Sequence, residues 1–308
     1  MRSELLHSPG EIGRRARRAA VDAAWRQWTA LGASGGGTEA GETTIDPEAL
    51  VVASAQLVEH ERRLGDFLLW WAGVGATLLS TQRTRSLLRV MPEGAAGALA
   101  PFAASAVQAG DRRWKGLASP DGLDARPGKG TLQARLTHPT SLVLRLRAAF
   151  GVSAKADVVA VLLGLERAAT VREVAEATGY TTVAVRGALG EVALAGFAEA
   201  TGETPAMYRA TRREAWAGLL GGEPPAWGFW ADRYAALLDV AAWGERAEAG
   251  GWAEYVATSK ARDLAERHAR AFRRWAPDTR VDGARGEAAL PAFVAAVEAI
   301  ARMNASTQ

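Results

Sequence analysis

The sequence predicts a mainly α-helical chain carrying one small β-hairpin, and three observations predict it. Alanine is abundant and β-branched residues are not, which favours helix. A pair of short helices with start and stop signals is written between Thr170 and Phe197. Two strand-like runs, 197–200 and 207–210, then flank Thr-Gly-Glu-Thr-Pro at 201–205, where Gly202 and Pro205 punctuate a hairpin tip.

The elements follow in chain order. Ile12 to Leu31 reads as a basic amphipathic helix with Ile12, Ala16, Ala20, Ala24 and Trp28 along one face. Residues 33–44 are rich in Gly, Thr and Glu and read as a flexible linker. Asp46 then caps a new helix with Pro47 in its first position, and Ile45 with Leu50 fits a hydrophobic staple. Leu50, Leu57, Leu64 and Trp71 recur every seven residues; packing inside the monomer is preferred, since the repeat is short and Glu61 interrupts it. A further apolar helix is expected from Glu93 to Ala109, and residues 110–140 read as an irregular connector.

Ser153 is placed to cap a helix over 154–164, with Val158, Val161 and Leu162 on its apolar face. Thr170 with Glu173 makes a capping box, and Gly179 stands where the helix needs a left-handed stop. Thr181 caps the next helix, whose Val185, Leu189 and Val192 share one side. Beyond Pro224-Pro225, helices are expected over 230–243, 252–275 and 291–303. The organisation is therefore a basic N-terminal helix (1–34), a helical region (45–110), an irregular basic connector (111–140), the helix pair with its hairpin (141–213) and a C-terminal helical region (214–308).

Helix, helix, second-of-a-pair helix and hairpin over residues 151–213 resemble the winged helix-turn-helix of bacterial MarR-like and ArsR-like regulators. Ala175, four positions before Gly179, fits the close helix crossing of that family. The resemblance covers about a fifth of the chain. It implies a transcriptional regulator that binds double-stranded DNA as a homodimer and sets the helix over 181–195 in the major groove. Flanking helices in such proteins commonly serve as dimer or sensor elements.

Under that reading Thr181, Thr182, Val183, Arg186 and Gly187 face outward near the helix N-terminus, where base edges are read. Arg186 suits bidentate pairing with guanine, Thr182 a base or phosphate, and Val183 a thymine methyl. Gly187 and Gly190 each cost the helix about 1 kcal/mol relative to Ala, but allow close backbone approach. In the hairpin, Thr201, Thr204 and Arg209 are candidates for phosphate or minor-groove contact, and Arg212 continues the basic side. The plainer readings are turn chemistry for the threonines and solvated charge for the arginines.

Charge within the segment itself weakens this reading. The chain has 37 Lys and Arg against 34 Asp and Glu, a net +3. Arg112, Arg113, Lys115, Arg126, Lys129, Arg135, Arg145 and Arg147 make the stretch before the helix pair basic, whereas Glu173, Glu176, Glu191 and Glu199 nearly neutralise the 151–213 segment. Phosphate contacts would then have to come from flanking arginines or a second subunit.

Other classes find little. With no cysteine, disulfides and thiolate metal sites are excluded. The most apolar run, Phe67 to Ser80, is shorter than the about 20 residues that span a bilayer, so no membrane association is expected. No apolar core follows the N-terminal arginines, so a secretory leader is not expected and a cytoplasmic location is. Gly32-Ala-Ser34-Gly-Gly36 matches a nucleophile-elbow pattern but sits in a Gly-rich linker; Gly128-Lys129-Gly130-Thr131 lacks the remainder of a phosphate loop. The four histidines show no metal spacing, so neither enzyme nor cofactor is implied. Trp216, Trp227, Trp230, Trp243 and Trp252 read as core rather than an effector pocket. The alternative function is a winged helix serving as a protein-interaction module in a larger assembly.

Overall fold

A computed structural model describes residues 8–33, 42–123, 134–202, 204–284 and 286–302. In chain order the helices are α1 (Pro9–Ala30), α2 (Pro47–Leu57), α3 (Arg63–Val74), α4 (Thr81–Leu88), α5 (Ala95–Gln108), α6 (Leu142–Phe150) and α7 (Ala154–Leu165). Strand β1 (Ala169–Thr170), helices α8 (Val171–Thr178) and α9 (Thr182–Leu194), and strands β2 (Ala198–Ala200) and β3 (Met207–Ala210) follow. Helices α10 (Arg213–Leu220), α11 (Trp230–Ala249), α12 (Glu254–Arg267), α13 (Ala269–Trp275) and α14 (Ala289–Arg302) complete the order. The protein is mainly helical with one small antiparallel sheet, and no described helix is long and apolar enough to cross a membrane.

The chain divides into two compact units. One comprises Met1–Ala24, Val90–Glu93 and Ala231–Gln308. Within it, α1 and α11 cross where glycine meets glycine: a Cβ on Gly13 would stand 2.9 Å from the Gly244 Cα. Only paired glycines permit that approach. Trp243 packs edge-on against Phe293, and Asp239 accepts from buried His268 at 2.8 Å. The expected single helix over 252–275 breaks at His268, which ends α12 and begins α13.

The other unit comprises Trp25–Arg89 and Gly94–Trp230. Asp46 caps α2 as expected, its carboxylate accepting from Ala49 N at 3.0 Å with Pro47 in the first position. Leu50, Leu57, Leu64 and Trp71 are all buried, yet the chain turns at 58–62 and the seam is shared by two helices. Trp28 lies against Trp71 and Phe67, and donates from its indole to Ser54 at 2.9 Å. Within the expected irregular connector, Arg112–Leu117 forms a 3-10 helix anchored by buried Trp114, edge-on to Phe102.

From α6 onward one apolar core joins α6 to α9, β2 and α10, centred on Leu146, Leu162, Val174, Val185, Leu189 and Trp216. Burying each of these fully gains roughly 1.5–3 kcal/mol for a Val or Leu. The sheet runs β1-β3-β2, all antiparallel, with Ala169 opposite Tyr208 and Glu199 opposite Arg209. Its third strand, β1, was not expected from the sequence. Ser153 stands at the N-cap of α7 without a side-chain cap bond, so that expectation is corrected.

Candidate nucleic-acid interface

Local chemistry builds the α8–α9 corner. Thr170 accepts from Glu173 N while Glu173 accepts from Thr170 N at 2.8 Å, a complete capping box. Hydrogen bonds to Thr170 and Arg167 hold the Glu173 carboxyl below its ordinary range, outweighing the upward push of burial. Gly179 has φ +73° and donates to Ala175 O at 2.8 Å, the left-handed stop that glycine supplies without strain. Thr181 opens α9 by accepting from Ala184 N at 3.2 Å.

With Val185, Ala188, Leu189 and Val192 turned into the core, α9 presents the opposite strip. Thr181, Thr182, Val183, Arg186, Gly187 and Gly190 are exposed, Val183 at 75 %. Among the described residues the Arg186 guanidinium has no ion pair, and no acid shares this strip. The acids of the segment are engaged elsewhere: Glu173 with Arg167, Glu176 with Arg172, Glu191 with Lys155, Glu199 with Arg209 and Glu166 with Arg213. Near-neutral composition therefore leaves an uncompensated cation at the exposed strip.

The hairpin residues are less uniform. Thr201 is half-buried and knits the tip together, donating its N–H to Met207 O at 2.7 Å. Thr204 is exposed. Arg209 reaches across the hairpin to Glu199 at 2.5 Å, an exposed pair worth about 0–1 kcal/mol and readily exchanged. Arg212 sits at φ +48° and opens onto a groove beside Phe197, Trp216 and Leu219, apart from the α9 strip.

Beneath the turn lies a buried ionic network that sequence reading did not find. Arg83 on α4 chelates Asp46, pairs with Glu48 and donates from Nε to the Thr178 carbonyl. Arg147 on α6 pairs with Glu48 and with Asp157 on α7, at 2.5 and 2.6 Å. Burial raises the Glu48 carboxyl, but Arg147 and Arg83 outweigh it and hold its pKa at about 2. Burial pushes the pKa of the nearby Tyr180 phenol up, and the Asp157 carboxylate adds to the rise. Arg147, counted in the basic stretch, is thus fully buried and neutralised. Arg145 donates to Leu220 O and Arg113 pairs with Asp111, while Arg126 and Lys129 lie outside the described residues.

The groove is a second feature of this region. Phe150, Ala195, Gly196, Phe197, Trp216 and Leu219 line a cavity of about 340 Å³ that adjoins another of about 310 Å³ running to Lys155 and Glu191. Trp216 and Trp243 are both buried in core, and Trp216 also borders the cavity. Ser34 and the Gly128–Thr131 motif lie outside the described residues, and among the described residues no three His, Asp or Glu are placed to hold a metal. No family model, curated protein or solved structure matches this chain.

Proposed function

We propose that residues 151–213 form a winged helix-turn-helix of the MarR-like and ArsR-like kind, and that the protein is a cytoplasmic, sequence-specific regulator of transcription binding double-stranded DNA as a homodimer. The order α7, β1, α8, α9, β2, β3 with sheet order β1-β3-β2 supports the fold assignment. One observation carries the functional reading: the uncovered strip Thr182, Val183, Arg186 and Gly187, with an unpaired guanidinium at the solvent-facing start of α9. Arg186 would pair with a guanine edge, Thr182 would meet a base or phosphate, and two such helices would enter grooves about 34 Å apart.

Fluorescence anisotropy with duplexes from the gene's own upstream region tests this. Wild type should prefer one duplex over a scrambled control at moderate salt, and Arg186→Ala should lose about 1–3 kcal/mol of that preference. Equal, weak binding to both duplexes overturns the reading.

The groove favours a second reading, a protein-interaction module. Leu219 at 71 % and Phe150 at 53 % exposure offer apolar surface there, and Leu194 at 91 % lies two residues before groove-bordering Gly196. Under this reading the groove takes up a partner, and a pulldown should be lost with Leu219→Glu but not with Arg186→Ala.

A further inference from the structure

The α9 strip offers one unpaired arginine, too few for affinity at physiological salt, since phosphate neutralisation supplies most non-specific binding. The missing charge stands next to the turn. Helix α4 borders it directly: Arg83 donates to Thr178 O, and its Cγ lies 3.8 Å from where a Gly179 Cβ would be. The Arg112–Leu117 3-10 helix packs on the same corner, because Arg113 donates to Ala76 O at 3.1 Å and Leu79 O at 3.3 Å. Gly116 meets α4 itself, its Cβ position being 3.2 Å from Arg85 Nη2.

These two elements turn cations outward. Arg83, Thr84 and Leu87 fill the buried side of α4, which leaves Arg85 and Arg89 exposed one turn apart. Burial of Trp114 likewise leaves Arg112 and Lys115 exposed on either side of it. Among the described residues none of these four has an ion pair. Asp111, the acid beside them, is taken by Arg113 at 2.6 Å.

We propose that Arg85, Arg89, Arg112 and Lys115 form a phosphate-binding shoulder that holds the backbone of the duplex whose major groove α9 enters. This rests on the DNA-binding reading above. A duplex is about twice as wide as a helix, so its backbone runs on past the N-terminus of α9, over the elements bordering the turn. The shoulder contributes affinity without sequence preference, and the α9 strip contributes preference.

The test measures dissociation constants for the full chain on a preferred and a scrambled duplex from 50 to 300 mM KCl. Replacing all four shoulder residues by Ala should weaken both duplexes alike, roughly 10- to 1,000-fold at low salt, and flatten the log–log salt slope by about 3.6. Replacing the three arginines by Lys should restore most of the slope, which separates charge from misfolding. Arg186→Ala should remove the preference and leave the slope nearly unchanged. If wild type binds and the Ala variant keeps its slope and affinity within twofold, the shoulder is wrong and the α9 reading stands. If wild type binds neither duplex, the α9 reading fails and the shoulder with it.

Discussion

Arg83 donates from Nε to the carbonyl of Thr178, the last residue of α8, and so ties a helix 95 residues upstream to the turn that sets α9. The same guanidinium grips Asp46 and Glu48. Three carboxylates and two guanidinia are buried together, each satisfied only by the others and by backbone. Such a cluster holds one geometry: losing any member strands a charge in low dielectric.

Arg83→Met should therefore cost about 3–5 kcal/mol of stability, because Asp46 and Glu48 lose their partner while remaining buried. Urea unfolding measures the loss. Native-state hydrogen exchange should show Gly179 and Tyr180 among the amides that open first. A cost below about 1 kcal/mol would show the cluster to be dispensable.

The same cluster dictates an acid response. Glu48 has its pKa held at about 2 in the folded protein, whereas an unfolded Glu titrates near ~4.3. Its stabilising contribution is complete above the unfolded value and is lost as pH falls through about 2. Stability measured from pH 5 down to pH 2 should fall steadily in wild type. Glu48→Gln should start lower and fall less steeply.

Gly179→Ala should destabilise by about 1 kcal/mol, since the added Cβ finds room, with its nearest neighbour 3.8 Å away, but must sit at φ +73°. Gly187→Ala makes the opposite case: it meets nothing within 4 Å inside a helix and should stabilise by up to about 1 kcal/mol. Thermal denaturation of the two variants side by side checks both signs. A shift of the same sign in both would contradict the account of the turn.

The proposed homodimer would have a testable face in the groove beside Phe197 and Trp216, the alternative to its taking up a different protein. Leu194→Glu with Leu219→Glu places charge where 91 % and 71 % of each residue is open to solvent, so folding should be unaffected to within about 0.5 kcal/mol. Sedimentation equilibrium should show the double variant as monomer where wild type is dimer. A wild-type monomer at tens of micromolar would remove the homodimer from the account.

What could be read from the sequence was what adjacent residues decide. Thr170 with Glu173, Gly179 and Thr181 each act through their own backbone, and all three features are present. The strand β1 was invisible because two residues carry no alternation; it exists only through its pairing with β3. The heptad spacing ran through a turn, since periodicity reports burial and not chain continuity. The ionic network was hidden for a deeper reason. Asp46 and Glu48 open α2 while Arg83, Arg147 and Asp157 lie on three other helices, and nothing in local spacing distinguishes fully buried Arg147 from half-buried Arg145 two positions away. Only tertiary structure sorts paired from unpaired cations, and that sorting made Arg85, Arg112 and Lys115 conspicuous.

Selection of binding sites from a random duplex pool at moderate salt probes the α9 strip most directly. The account predicts an inverted repeat with half-sites about one helical turn apart, whose preference for guanine at one position disappears with Arg186→Ala. A pool that emerges unenriched, or an enriched motif left unchanged by that substitution, would contradict it.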